Sequence, residues 1–297
     1  MKPNRPPDAL VRRFLDQHHW SRTPEELVVR LCEELLEDAG VSVPIDVRLL
    51  ASFRDIAAIN KVDQAEAGCI FFDGERLVVH IRGTDSAERQ RFTICHETIH
   101  TFFPGFREER RTRTDRTVGT YDPSQLEEYL CDLGAAELLL PRKPFLAALP
   151  ADPDLDDVIV LAEMFEASLE ATAIRIVNLT AAPMALVVLE PAWKPAEQQE
   201  LARRATQPAL AGLESEPPPK KLRVRWAYGP QMATIPKHKS VDDASPLANV
   251  LQTGGVDYQG ATGLTRDIVQ VSARHLPYHR GGELVDRVLV LLRDPKA

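Results

Sequence analysis

The sequence lacks an apolar run long enough to cross a bilayer, and its first residues, MKPNRPPDALVRRF, lack the apolar core of a secretory signal peptide. Its four cysteines (Cys32, Cys69, Cys95 and Cys131) are singly spaced, and no CxxC pair occurs. We therefore expect neither export nor a disulfide framework. This pattern is typical of a soluble cytoplasmic protein that does not associate with membranes.

A positive net charge is also missing. The chain of 297 residues has 36 Lys and Arg against 44 Asp and Glu, which gives a net charge of −8. An acidic chain has no global field that attracts nucleic acid, although local basic patches can still do so. Hydrophobic residues make up 44% and charged residues 27% of the chain. These values are typical of globular proteins, and the length allows more than one domain.

The first 148 residues mix helical and strand-like patterns. Helices are predicted over 7–20 and 24–39, and GCIFFDGERLVVHIRG predicts a β-hairpin that turns at its Asp-Gly pair. SAERQRFTICHETIHTFF then returns to helical spacing. After an arginine-rich polar loop, QLEEYLCDLGAAELLLP predicts another helix, which Pro141 ends.

Two further segments complete the chain. In 149–182, LAEMFEASLEATAIRIVNL predicts two helices joined by a turn, the arrangement of a helix-turn-helix. DNA contact and helical packing are both open interpretations; packing is favoured because Arg175 is the one basic side chain on the second helix. In 183–297, strand-like runs such as MALVVLEP and KKLRVRWAYG predict a separate domain with a central sheet. The predicted fold class is therefore α+β and multidomain.

His96, Glu97 and His100 form a His-Glu-x-x-His pattern within RFTICHETIH. On a helix the two histidines lie one turn apart, so both imidazoles project from one face and can bind one ion. Neutral imidazole suits Zn²⁺, and Mn²⁺ or another divalent metal is the alternative. Glu97 then stands where a carboxylate can accept a proton from an activated water molecule. The pattern predicts a hydrolytic metal site with Glu97 as the catalytic base.

A third ligand is expected on the helix that follows. In EEYLCD, Glu128 and Asp132 are four residues apart and share one helix face. Glu128 is the predicted ligand, and Asp132 is predicted to hold a ligand histidine through its other ring nitrogen. Glu127 remains the alternative ligand, because one residue of helix rotation separates it from Glu128. Glu137 is disfavoured because it lies inside an apolar run.

Two cysteines lie next to these predicted ligands. Cys95 precedes His96, and Cys131 lies between Glu128 and Asp132. Oxidation of either thiol could release the metal, which would make a redox switch. Buried structural thiols are the favoured alternative.

These motifs resemble those of the ImmA/IrrE metallopeptidases. That family places a Phe-Thr pair before His-Glu-x-x-His, as Phe92 and Thr93 do here, and ends an acid-bearing helix with Ala-Ala-Glu-Leu-Leu-x-Pro, as residues 135–141 do. The segment after residue 148 is similar to a helical segment that follows the family's peptidase domain. The last domain resembles the GAF-like domain of the longer IrrE/PprI radiation-response regulators.

The resemblance implies three domains: a zincin-like metallopeptidase domain (1–148), a helix-turn-helix-like module (149–182) and a GAF-like sensor or regulatory domain (183–297). It further implies a zinc-dependent endopeptidase that cleaves a helix-turn-helix repressor similar to DdrO, which derepresses DNA-damage and radiation-response genes. Thr98 and Ile99 depart from the family's frequent HELGH sequence, which leaves the ligands unchanged.

An alternative function also remains open at this point. The chain could be a transcriptional regulator that binds DNA through its helix-turn-helix, with a metal site that is not catalytic. The predicted partners are accordingly a protein substrate that is itself a DNA-binding repressor, DNA as an open alternative, and a small molecule or signal at the C-terminal domain.

Overall fold

A computed structural model describes residues 9–18, 21–40, 42–104, 111–113, 126–206, 217–280 and 282–295. The chain forms two compact units, Met1–Ala151 with Ile159–Arg175, and Asp152–Val158 with Ile176–Ala297. Helices and sheets occur together, so the predicted α+β class is confirmed. The three-domain division at 148/149 and 182/183 stays a prediction. Among the described residues, no helix is both long enough and apolar enough to span a membrane.

The first unit contains a short sheet surrounded by helices. Its elements up to residue 148 are α1 (Ala9–Asp16), α2 (Pro24–Ala39), α3 (Val47–Ser52), β1 (Ile56–Val62), β2 (Gly68–Asp73), β3 (Arg76–Arg82), α4 (Ala87–His100), β4 (Arg111–Arg113), α5 (Leu126–Leu139) and α6 (Arg142–Ala148). The helix predicted over 24–39 is confirmed. It begins at Thr23, whose hydroxyl accepts a hydrogen bond from the backbone N–H of Glu26 at 3.2 Å, as expected for an N-cap.

Two more helices, α7 (Leu155–Phe165) and α8 (Leu169–Leu179), follow. They correspond to the helical pair predicted within 149–182, and Glu166 at the turn between them has a positive φ of 49°. Phe165 of α7 packs on Phe145 of α6, with ring centroids 5.3 Å apart and both rings fully buried. This contact lies within the first unit, to which the residues of α7 from Ile159 onward belong.

The sheet of the first unit has the strand order β1-β3-β2-β4. β2 and β3 form the predicted hairpin, and Gly74 at its turn has a φ of 63°, a conformation that suits glycine. β1 joins β3 in parallel, and β4 pairs with β2 in antiparallel. Since β4 lies in the predicted polar loop, that prediction is wrong for Arg111–Arg113; residues 105–110 and 114–125 of the loop lie outside the described residues.

Helix α4 packs on one side against β2 and β3 and on the other against α5. Every residue from Thr93 to His100 is buried as a result. The approach of α5 is closest at Gly134, where an added Cβ would lie 2.7 Å from Ile99 of α4 and 2.9 Å from Val28 of α2. Because glycine has no side chain, α5 can contact both helices at this position.

The second unit is built on a five-stranded antiparallel sheet of order β6-β5-β11-β8-β7. Its elements are β5 (Met184–Ala192), α9 (Pro195–Thr206), β6 (Lys221–Tyr228), a 3-10 turn (Pro246–Asn249), α10 (Val250–Thr253), β7 (Gly255–Gly260), β8 (Val269–His275), β9 (Tyr278–Arg280), β10 (Glu283–Val285) and β11 (Val288–Arg293). Leu189, Val271 and Val290 of the sheet share a buried core with Leu247 and Val250. A central sheet in this part of the chain agrees with the sequence prediction, and GAF-like topology stays a prediction.

Replacing Gly134 with valine should lower the free energy of unfolding by about 2–3 kcal/mol, because the new side chain overlaps Ile99 and Val28. Urea unfolding followed by circular dichroism measures the change. Ala136→Val is the matched control, since it introduces the same β-branched side chain at a part-exposed position of the same helix. Equal losses in the two variants would contradict the close approach of α4 and α5.

Candidate metal site

His96 and His100 lie one turn apart on α4, and their ring centroids are 5.1 Å apart. The helix that presents them begins at Ser86, whose hydroxyl accepts a hydrogen bond from the backbone N–H of Arg89. The two imidazoles are 1% and 0% exposed. A polar ring in such a place is costly unless its nitrogens find partners, so the surroundings of each nitrogen indicate what the site does.

Each histidine contacts an acid of α5 through Nδ1. His96 Nδ1 lies 2.8 Å from Asp132 Oδ1, and His100 Nδ1 lies 3.0 Å from Glu127 Oε1. A carboxylate accepts a hydrogen bond, so these contacts favour the tautomer that carries its proton on Nδ1. Nε2 of each ring is then the basic nitrogen, as in metal-binding histidines.

Glu128 faces the other nitrogen of both rings. Its Oε2 lies 3.6 Å from His96 Nε2, and its Oε1 lies 3.6 Å from His100 Nε2. These separations are longer than hydrogen bonds. Nε2 of His100, although buried, has no hydrogen-bond partner among the residues that the structure describes. The space between the three groups is therefore bordered by two imidazole nitrogens and a carboxylate, atoms that can each bind a metal ion.

A divalent ion fits this arrangement. Ligand atoms about 2.1 Å from a tetrahedral ion lie about 3.4 Å from one another, and the two observed separations are both 3.6 Å. Two imidazole nitrogens and a carboxylate oxygen are also a donor set that Zn²⁺ accepts. His96, His100 and Glu128 could thus hold a metal ion.

Cys131 is a competing donor. The ligand atoms of His96, His100 and Cys131 all lie within 4.8 Å of one another. However, Cys131 Sγ lies 3.4 Å from His100 Nδ1, the nitrogen that Glu127 also contacts. Burial, and then the nearby Glu128, raise the pKa of the Cys131 thiol well above its ordinary value. The position of Cys131 beside Nδ1 therefore favours Glu128 over Cys131 as the third donor.

Glu97 is fully buried and lies against β2. An added Cβ at Gly68 would lie 2.8 Å from Glu97 Oε1 and 2.4 Å from the Thr93 methyl group. Glycine at this position therefore leaves the space that the Glu97 carboxylate occupies. The role of Gly68 could not be predicted from the sequence, because a single glycine at the start of a strand carries no motif signal.

The structure thus brings His96, His100, Glu128 and Asp132 together, and it gives different contacts to the two acids that the sequence left as alternatives. Glu127 contacts Nδ1 of His100, whereas Glu128 faces Nε2 of both rings. Adjacent helical residues point about 100° apart, which is enough to reach opposite nitrogens of one ring. The contact of Glu127 with Nδ1 was not anticipated from the sequence.

Arg175 and Glu137 form a separate buried ion pair. Arg175 donates to the two carboxylate oxygens of Glu137 at 2.6 and 2.5 Å and to the carbonyl of Leu140 at 2.9 Å. Arg175 is 5% exposed. The interpretation of α8 as a groove-reading helix depended on Arg175. This side chain is instead bound to Glu137 and Leu140 inside the first unit.

Comparison with known proteins agrees with this geometry. Residues 58–177 match the family model of the IrrE N-terminal-like domain, Peptidase_M78. The chain contains an IrrE N-terminal-like domain. The resemblance to the ImmA/IrrE family is confirmed, and a domain of metallopeptidase type is present. The IrrE N-terminal-like domain includes α4, α5 and every residue discussed at the site.

A solved structure supports the fold beyond that domain. A Mycobacterium tuberculosis transcriptional regulator is similar with a TM-score of 0.53 and 13% identity, over 96% of this chain and 79% of that chain. At this identity the likeness concerns the fold alone. No curated protein matches the chain.

The four thiols should resist alkylation in the native protein. All four cysteines are buried and none forms a disulfide bond within the described residues. Burial raises the pKa of Cys95 to about 12, so the Cys95 thiolate is scarce near neutral pH. Intact-mass measurement after iodoacetamide at pH 8 should show no adduct in the native protein and four adducts in urea. Rapid native labelling of Cys95 or Cys131 would instead favour the redox switch.

Proposed function

We propose that the chain is a zinc-dependent endopeptidase in which His96, His100 and Glu128 bind the metal and Glu97 is the catalytic base. The observation that carries the proposal is the convergence of two Nε2 atoms on one carboxylate at 3.6 Å. The IrrE N-terminal-like domain supports a metallopeptidase. In this proposal residues 1–148 form a zincin-like domain.

A Zn²⁺ ion at this position would supply Lewis acidity, which polarises the scissile carbonyl and acidifies a water molecule. Glu97 accepts the proton of the attacking water and passes it to the amine that leaves. Its burial excludes bulk water from this transfer. Asp132 and Glu127 hold the two imidazoles through Nδ1, which leaves both Nε2 atoms to bind a metal ion together with Glu128.

The proposed substrate is a DNA-binding helix-turn-helix repressor similar to DdrO, whose cleavage derepresses DNA-damage and radiation-response genes. The motif resemblance to the IrrE/PprI regulators supports this choice, and the mycobacterial protein of similar fold is named as a transcriptional regulator. Residues 183–297 would then form a GAF-like sensor domain that receives a small molecule or signal. Residues 149–182 would form the helix-turn-helix-like module.

Direct DNA binding is the weaker proposal. Helix α8 carries a single arginine, and Arg175 is paired with Glu137 and buried. Thr172, Ala173, Ile176 and Val177 of the same helix are buried as well. A helix that reads a groove must present polar side chains to the bases, and most of α8 is covered.

Glu97→Gln should abolish cleavage while the metal stays bound, because glutamine keeps the size of the side chain and loses its basicity. We expect a loss of at least about a hundredfold in rate, measured on a gel with purified repressor and zinc, with a chelator-treated sample alongside. Glu163→Gln makes the same change on an exposed helical residue and should cleave normally. Cleavage by Glu97→Gln at the parent rate would refute the mechanism.

The variants Glu128→Gln and Glu127→Gln distinguish the acid that binds the metal from the acid that supports a histidine ligand. Loss of a ligand should weaken zinc binding by more than about a hundredfold, whereas loss of an acid that supports a ligand typically costs about ten- to a hundredfold. Competition with a chromogenic chelator measures both affinities. The opposite order of the two variants would make Glu127 the ligand.

A further inference from the structure

Two arginines connect the α7–α8 pair to the helices that carry the metal site. Arg175 of α8 binds Glu137 and the Leu140 carbonyl at the C-terminal end of α5. Arg91 of α4 donates to the backbone carbonyl of Glu166, at the turn between α7 and α8, at 3.1 Å. All of these residues belong to the first unit. The pair is therefore attached separately to α4 and to α5.

The contact at α5 fixes orientation as well as position. Arg175 and Glu137 form a two-pronged pair whose side chains are 6% and 11% exposed, and the planar guanidinium holds a carboxylate in one direction. The third bond, to Leu140, places a cation at the carbonyl end of α5, where it interacts favourably with the helix dipole. Rotation of α5 about its axis would break all three bonds.

The contact of Arg91 on α4 also combines an ion pair with hydrogen bonds to backbone carbonyls. Besides the Glu166 carbonyl, Arg91 donates to the carbonyl of Ile45 at 2.8 Å and pairs with the Glu166 carboxylate at 3.0 Å. Arg91 lies five residues before His96, about 7.5 Å along the helix axis. Glu137 lies five residues after Asp132, at the same axial distance. The two attachments therefore lie close to the site on both helices.

Apolar packing of Phe165 on Phe145 already holds the end of α7 against α6 within the first unit. A buried ion pair often stabilises a fold no more than apolar residues of similar size would. The three hydrogen bonds of Arg175 therefore contribute more to the orientation of α5 than to the attachment of α8 to α5.

We propose that Arg175 is a positioning residue for the metal site. By fixing the rotation of α5, it sets which acid meets which nitrogen of His96 and His100. A rotation of about 100° would move Glu127 toward the position of Glu128. The inference rests on the proposed function, because it takes Glu128 as a ligand, and it gives the α7–α8 pair the role of supporting the site.

The paired variant Glu137→Met with Arg175→Met tests this role in the full-length chain. It removes both charges, so the stability of the metal-free protein should stay near that of the parent. Zinc affinity, measured by chelator competition, should nevertheless fall at least about tenfold, in the range found for residues that support ligands. Arg30→Met removes an exposed ion pair on α2 and should leave affinity unchanged.

Arg175→Lys is the second variant, because it keeps the charge and loses the planar geometry. It should also weaken zinc binding, by a smaller factor. Parent-like zinc affinity in either variant that folds would overturn the positioning role. A parent chain that binds no zinc would overturn the proposed function, and this inference with it.

Discussion

The candidate site depends on how closely α4 is held between its two neighbours. Gly134 of α5 lies against Ile99 on one side of the helix, and Gly68 of β2 lies against Thr93 and Glu97 on the other. Each glycine lets a backbone approach where a side chain would collide. Because α5 comes this close, its acids reach both nitrogens of the histidines on α4.

A cation would stabilise the cluster of carboxylates around His96 and His100. Four carboxyl groups, those of Glu97, Glu127, Glu128 and Asp132, surround or adjoin two buried imidazoles, and Glu97 is itself fully buried. Buried charges are costly unless they are paired or bind a metal. A divalent ion between the rings would offset the repulsion, whereas an interior packed for stability alone would have used apolar residues here.

Much of the fold could be predicted because local signals were strong. The cap at Thr23, the Asp-Gly turn and the i, i+4 histidines each depend on a few neighbouring residues. The parallel pairing of β1 with β3 and the strand at Arg111–Arg113 depend on contacts far apart in the chain, so periodicity did not reveal them.

The same distinction holds within the site. Spacing identified His96, Glu97 and His100 as candidates, but Glu127 and Glu128 differ by one helical residue. Their roles depend on how α5 is rotated against α4, which the sequence of α5 does not encode by itself. Glu137, which its apolar neighbours disfavoured as a ligand, pairs with Arg175. This partner lies 38 residues away and could not be inferred from the sequence.

X-ray absorption spectroscopy of the zinc-loaded full chain tests the central claim most directly, since it reports the atoms bound to the ion. The account predicts nitrogen and oxygen neighbours at about 2.0–2.2 Å, with imidazole scattering, and no sulfur. A sulfur neighbour at about 2.3 Å would identify Cys131 as a ligand and contradict the assignment of Glu128.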